Sequence, residues 1–525
     1  MSTSVSTIAR AGSAGNGPRQ PAGQRLGWLL AAAGVGLAAL AGVVALEGAD
    51  YKVWVVAIAA VLSLPLLVVM KKARVILVFC WVFALSYNRQ YFVFESVVGY
   101  QGTSGPYVIL ADICLAGLLG LWVYDRIRRG PAAVIGRSFW PWFLPFAVAC
   151  FLSVFVAERT DWALFEMLRI VKMGILLAYI RHNFGRAEWM TCVLALSLAL
   201  SFQSGVAIKE VITQKPGVIG SQNLEAEAAD EELTSHLDET AFYGMIRGVG
   251  TLAHPPYLAC FLLLGMPPLL ALALTARRRR AILCGIAFLL ACGGLICTMS
   301  RFPAFLAVGQ IAIVAVVLAG MRLLPVKQAL GLTVLTLFIT GMALIPFEKK
   351  IMDRVKGDFD ESVQYRREGI HASLSAIGDH PFLGLGLNNT KLYFHQYMPQ
   401  FDWAFASEDF ATHLLHLRAP VALGNGFFMI AEETGVIGFA GFVLFIVGAL
   451  VTGVWAVRNT PGEPRVICLG LVVGMLGALG EQIIDTPLWV DPNLYIFTLF
   501  AGMVCVAPQI FAEARARKVA LEKAA

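Results

Sequence analysis

The chain has 525 residues, of which 58% are hydrophobic and only 14% charged, with a formal net charge of +6 and a mean hydropathy of +0.71. Soluble domains carry roughly 25% charged residues, so this composition excludes a soluble enzyme. The positive excess is not a nucleic-acid footprint either: it lies in short clusters between apolar runs, such as Lys71-Lys72-Ala73-Arg74, Arg126-Ile127-Arg128-Arg129, Arg277 to Arg280 and Arg515-Ala516-Arg517-Lys518.

Residues 1–25 are rich in Ser, Gly, Ala and Pro and carry Arg10, Arg19 and Arg25. They read as a disordered cytoplasmic tail. The run 26–46 is too long for a signal-peptide core and lacks a cleavage site, so it reads as a retained first span. Apolar runs continue near 52–70, 75–88, 107–124, 139–157, 162–180, 189–208, 252–275, 281–299, 303–320 and 329–346. A long polar stretch, 347–426, separates them from runs at 427–456, 466–484 and 493–510, and residues 511–525 form a basic tail. About fourteen spans are expected, since crossing a ~30 Å hydrocarbon core takes ~20 apolar residues. The expected fold is all-α: a polytopic integral membrane protein with transmembrane helices in 26–346 and 427–510. One large extracytoplasmic loop, 347–426, contains helices.

Counted from a cytoplasmic N-terminus, every second loop carries Lys or Arg, whereas the outside loop 209–251 is acidic through Glu225, Glu227, Asp230, Glu231 and Glu232. By the positive-inside rule both termini are cytoplasmic. No inverted pair of broken helices is visible, which argues against a secondary transporter. All ten cysteines lie in or beside apolar runs, where Cys behaves as a small hydrophobe.

Several polar residues stand out against this background. Thr298-Met299-Ser300-Arg301-Phe302-Pro303 separates two apolar runs by a few residues. A tight outside turn there holds Arg301 at the membrane face, where its fork suits phosphate oxygens, or else it snorkels to the interface. Arg247 precedes a span within Arg247-Gly248-Val249-Gly250-Thr251, and such glycines let a backbone approach a ligand closely. Arg366 and Arg367 open an amphipathic segment, Ser362 to Ile377, with Ile370, Leu374 and Ile377 at helical spacing. His413 and His416 are three apart, but there is no HExxH spacing, so no metal site is expected. Glu166 and Arg169 sit inside an apolar run, at the i, i+3 spacing of an internal ion pair. Tyr393, Tyr397, Phe401 and Trp403 put aromatic surface in the large loop.

The order of four stretches resembles the O-antigen ligase and polymerase superfamily, meaning Wzy-type polysaccharide polymerases and WaaL-type ligases. They are Arg247 to Pro255; Thr298 to Arg301; Arg366 through His380-Pro381 to Gly384-Leu385-Gly386; and Gly424-Asn425-Gly426 through Glu433-Thr434-Gly435 to Gly438. The likeness spans roughly Ala163 to Leu450. It implies transfer of a glycan from undecaprenyl pyrophosphate to a sugar hydroxyl, at the periplasmic face of a bacterial inner membrane, with arginines holding the pyrophosphate and with no cofactor or metal. A chain-length regulator or other polysaccharide-assembly proteins are the implied partners, beside the bilayer itself.

The site residues expected from this resemblance are Arg301, Arg366, Glu433, His413 and His416 for catalysis. Arg247, Arg301, Arg366, Arg367, Asn425 and Tyr393 are expected to bind pyrophosphate or glycan. One departure matters. Gly424 stands where the family usually has His before Asn, so a general base does not carry over, and the sequence does not choose among His413, His416 and Glu433. The missing His favours a polymerase of lipid-linked repeat units, making O-antigen or exopolysaccharide, over a ligase acting on lipid A–core. A transporter of lipid-linked glycans is the rival from another class.

Overall fold

The computed structural model describes residues 72–87, 90–92, 107–130, 134–215, 241–242, 245–252, 254–331, 334, 358–398 and 425–524. The chain divides into two units, Met1–Ala73 and Arg74–Ala525, and nearly all described residues belong to the second.

Apolar runs without polar side chains satisfy their backbone only by coiling on themselves, and the described residues are accordingly helical. In chain order the elements begin with α1 (Ala73–Ala84), β1 (Gln90–Phe92), β2 (Tyr107–Ile109), α2 (Leu110–Arg129) and α3 (Trp140–Ser153), the last extended by a 3-10 turn, Val154–Val156. Next come α4 (Thr160–Asn183), α5 (Arg186–Thr213), the two-residue strands β3 (Ala241–Phe242) and β4 (Met245–Ile246), α6 (Pro255–Thr275), α7 (Arg278–Cys297) and α8 (Arg301–Gly320). In the polar stretch lie α9 (Asp358–Asp379), a 3-10 turn at Thr390–Tyr393 and α10 (Phe394–Tyr397). The chain ends with α11 (Gly426–Asn459), α12 (Glu463–Glu481), a 3-10 turn at Pro487–Trp489 and α13 (Asp491–Ala524).

Among the described residues seven helices are long and apolar enough to cross a membrane: α5, α6, α7, α8, α11, α12 and the Asp491–Glu513 part of α13. The expected spans at 26–46 and 52–70, and most of 329–346, lie outside the described residues. The expected span at 107–124 does not begin as helix. Tyr107 to Ile109 form β2, paired antiparallel with β1 in the register Gln90↔Ile109, Tyr91↔Val108 and Phe92↔Tyr107. Helix starts only at Leu110, where Asp112 reaches back to accept the Ile109 N–H at 3.1 Å.

The interior is built by close helix contact. α6 packs against α12, where Gly470 and Gly474 lie directly on the α6 backbone at Pro268 and Leu264. Gly441 of α11 likewise lies on the α3 backbone at Phe146, and Gly448 makes room for the Trp142 ring. Small residues at these crossings let backbones approach, which sustains packing when lipid offers no hydrophobic driving force. Phe146, Phe442 and Phe445 fill the space between, with the Phe146 and Phe442 rings 5.3 Å apart.

Several charges inside the bundle are paired among the described residues. Glu166 and Arg169 form the expected i, i+3 ion pair. The network is wider than the sequence indicated: Arg169 Nε also donates to Asp491 at 2.6 Å, its guanidinium to the Trp489 carbonyl, and Trp489 Nε1 to Glu166 at 3.0 Å. Tyr107 donates its hydroxyl to Asp491, and Lys172 pairs with Asp112 at 2.8 Å. These bonds join α4 to α13, β2 and α2. Charges within a membrane persist where they are neutralised in this way.

The outer helix α9 corrects an expectation. Ile370 and Leu374 are exposed, and Ile377 is half-buried. The packed face is instead Ala372 and Ala376, which meet Leu385 and Met398, with Ser373 buried beside them. Small residues win this face because α9 lies close against α11, where Ser373 bonds to Glu432. The helix also begins at Asp358, so Arg366 and Arg367 lie within it and do not open it.

Candidate functional site

Two clusters gather at one end of the bundle, where α3, α5, α7 and α12 end and α4, α6, α8, α11 and α13 begin. The first is built on the turn between α7 and α8. Two spans are joined by three residues only, and the turn closes because Met299 takes a left-handed conformation, φ 51°. Ser300 is the N-cap of α8, but its hydroxyl does not cap the helix. It accepts from Arg247 Nη2 at 3.0 Å, while Arg247 Nε donates to the Thr298 carbonyl at 3.0 Å. One guanidinium therefore fixes both ends of the turn. Arg301, exposed on the first residue of α8, stands beside it.

The segment bearing Arg247 is itself held from below. Gly248 N–H donates to Cys297 O at 2.8 Å. Val249 and Gly250 both donate their N–H groups to the buried Glu210 carboxylate, each at 2.9 Å. Thr251 N–H donates to Gln203 Oε1 at 2.9 Å. Gly250 has φ 62°, and a Cβ there would run into Gln203, so glycine is required. The result is a rigid platform presenting two arginines at the positive N-terminus of α8, an arrangement that favours an anion.

The second cluster is a break in α11. Gly435 has φ 67° and ψ −173°, and the helix kinks there. The backbone groups freed by the kink pair with the His380–Gly386 turn: Leu385 N–H to Glu432 O at 2.7 Å, Gly386 N–H to Glu433 O at 3.2 Å, and Val436 N–H to Pro381 O at 2.8 Å. Ser153 at the end of α3 adds its hydroxyl to Glu433 O at 2.5 Å. Asn389 continues the contact, accepting from Arg159 N at 2.8 Å. Irregular backbone is tolerated at membrane depth only where protein covers it and satisfies it, and residues 429–435 are all buried.

The structure thus joins the first two motif stretches to each other, and the last two to each other. Glu433 lies buried inside the kink. Asn425 caps α11, its Oδ1 accepting from Phe427 N at 3.0 Å and Phe428 N at 3.1 Å. Arg367 is exposed on α9, and Arg366 belongs to the same helix, its side chain outside the description. His413, His416 and Gly424 lie outside the described residues, as do Phe401 and Trp403. Tyr393 faces Glu158, and burial together with the hydrogen bond to that carboxylate lifts its phenol above the ordinary value. Tyr397 is pushed up to about 12 by burial and by the bond its hydroxyl donates to Asp379 at 3.1 Å.

Sequence reasoning missed Glu210, Gln203, Ser373 and Glu432. The one available signal was position: Glu210 ends an apolar run, where a carboxylate has no reason to be buried unless it serves a loop.

Residues 286–443 match the family model described as O-antigen ligase. The match begins within α7, takes in the Ser300–Arg301 turn, α9 and the α11 kink, and ends eight residues past Gly435. No curated protein matches the chain.

Proposed function

We propose that this chain, a member of the O-antigen ligase and polymerase superfamily through residues 286–443, polymerises undecaprenyl-pyrophosphate-linked repeat units at the periplasmic face of an inner membrane. The observation that carries the reading is the bonding of Arg247 to Thr298 and Ser300 beside Arg301. It supports a fixed cationic platform at the mouth of a membrane-embedded helix bundle, the feature that a lipid-linked pyrophosphate requires.

In the proposed step an acceptor hydroxyl oxygen attacks the anomeric carbon of the donor glycan. A new C–O bond forms, and the bond from that carbon to the pyrophosphate oxygen breaks. The lipid pyrophosphate leaves with the electron pair, and the hydroxyl proton passes to a base among the residues of the large loop or to Glu433. Arg301 and Arg366 contact the pyrophosphate and stabilise its developing charge. Arg247 and Arg367 reinforce them. Each charge-assisted bond contributes about 1.5–3 kcal/mol, and aiming it at charge that grows in the transition state turns binding into rate. Juxtaposing two large substrates supplies much of the remainder.

The description of the matched family model favours a second reading, ligation of a finished glycan to lipid A–core. Gly424, in place of the His usual in ligases, favours polymerisation. A transfer assay separates them. Purified protein is mixed with lipid-linked repeat units and chelator, and products are sized on a gel, with Arg301→Ala and Arg366→Ala as variants. A ladder that both variants lose supports the polymerase and its arginines. Transfer only after lipid A–core is added makes the protein a ligase. No transfer to either acceptor overturns the enzymatic reading in favour of transport.

A further inference from the structure

A second pair of arginines stands at the opposite end of the bundle. Arg137, in the approach to α3, and Arg181, in the last turn of α4, line one cleft with Trp140, Leu177, Gly502 and Cys505. The enclosed space is about 10 Å³, room for one water molecule, so a larger anion would lie across the open mouth.

The cleft is built and not incidental. Gly136 has φ 73°, and a Cβ there would meet the Cys505 carbonyl, so the chain lies directly on α13. Two bonds hold it there, Gly136 N–H to Gln509 Oε1 at 2.5 Å and Arg137 N–H to Cys505 O at 3.4 Å, and Ile135 N–H to Arg181 O at 3.0 Å ties it to α4. The Arg137 guanidinium is steadied on the Trp455 ring, 4.0 Å from its centroid. Arg181 Nε is buried and has no hydrogen-bond partner among the described residues. Neither guanidinium has a carboxylate among them. Arg181 is half-buried and Arg137 is exposed at the mouth, and an anion held between two like charges offsets their repulsion.

The depth is that of a lipid headgroup. Trp189 on α5 donates to Met503 O beside the cleft, at 3.1 Å, whereas Glu210 on the same helix supports the Arg247 platform. The rise between these two positions is about 30 Å, the thickness of the hydrocarbon core. The basic loops at the cleft end belong to the cytoplasmic face under the positive-inside rule.

We propose that Arg137 and Arg181 form a binding site for a phosphate anion, with the phosphodiester of an anionic phospholipid or free inorganic phosphate as its source. Basic pockets between spanning helices on this face suit such headgroups, and the guanidinium fork matches phosphate oxygens in pairs.

The test is native mass spectrometry of the purified full-length protein in neutral detergent, titrated with phosphatidylglycerol or phosphatidylcholine. Wild type should retain phosphatidylglycerol at least tenfold more tightly than phosphatidylcholine. Arg137→Gln/Arg181→Gln should lose roughly ten- to thirtyfold of that affinity. Arg278→Gln/Arg279→Gln, in an exposed basic cluster, should lose little. Should the double variant not fold, Arg137→Gln alone is read by the same measure. Displacement of the lipid by millimolar inorganic phosphate identifies free phosphate as a competent source, and its failure commits the site to lipid. Equal retention of the two lipids by wild type, or undiminished phosphatidylglycerol retention in the glutamine variant, overturns the proposal.

Discussion

Ser373 on α9 donates its hydroxyl to the Glu432 carboxylate on α11, tying the outer helix to the broken span that it covers. Both side chains are fully buried. Ser373→Ala removes a donor from a buried carboxylate, at a cost of about 1–3 kcal/mol. The midpoint of thermal unfolding in detergent should fall accordingly, and an unchanged midpoint would show that the bond contributes nothing.

Gly384 and Gly435 face each other's segments with φ 71° and 67°, and a Cβ on either would overlap the partner's backbone. Gly384→Ala and Gly435→Ala should each cost at least about 1–3 kcal/mol in backbone strain alone, and transfer activity should be lost with the kink. Gly378, exposed on α9 with open space around it, is the control. Gly378→Ala should be neutral or stabilising by up to about 1 kcal/mol. Similar losses at all three sites would refute the strain argument.

Arg247 uses two nitrogens in different directions, toward Thr298 O and Ser300 Oγ. Lysine carries the charge but not the fork. Arg247→Lys should therefore lower kcat/KM for the lipid-linked donor by about ten- to a hundredfold, or ~1.4–2.7 kcal/mol, while the protein stays folded. Full activity in the lysine variant would mean that charge alone matters at this position.

Arg169 holds Glu166 and Asp491 together inside the bundle. Arg169→Met strands two buried carboxylates and should destabilise by about 3–5 kcal/mol, seen as lost expression or a large drop in unfolding midpoint. The triple variant Arg169→Met/Glu166→Leu/Asp491→Leu should recover part of that loss, since it leaves no buried charge unpaired. A triple variant worse than the single one would indicate a role for the charges beyond pairing.

Five of the long apolar helices were legible because a run of apolar residues has one low-energy solution in lipid. α6, α7, α8, α11 and α12 begin and end within three residues of the apolar runs that announce them. The Arg301 turn was legible for the same reason, two runs meeting with almost nothing between them. The face of α9 was not. Its buried side is Ala372, Ser373 and Ala376, chosen for closeness and not for hydrophobicity, while periodicity points to Ile370 and Leu374, which are exposed. β1 and β2 were hidden because three-residue strands carry too few side chains to set a period. The Arg247 platform was half-visible: the glycines stood out, but Glu210 and Gln203, which anchor them, lie some forty residues away on another helix. Glu432 stayed unseen because its role depends on a turn about fifty residues earlier in the chain.

The paired kink has a consequence for how this protein can change. A straight helix is self-sufficient in hydrogen bonds, so loops beside it can be lengthened, exchanged or deleted without touching the span. α11 has given up that independence: Glu432 O, Glu433 O and Val436 N are satisfied by residues 381–386. The 381–386 turn and α11 are one inheritable module. A loop transplanted from a relative would have to arrive with its own broken helix, and a deletion that removed the turn would unravel part of α11 with it.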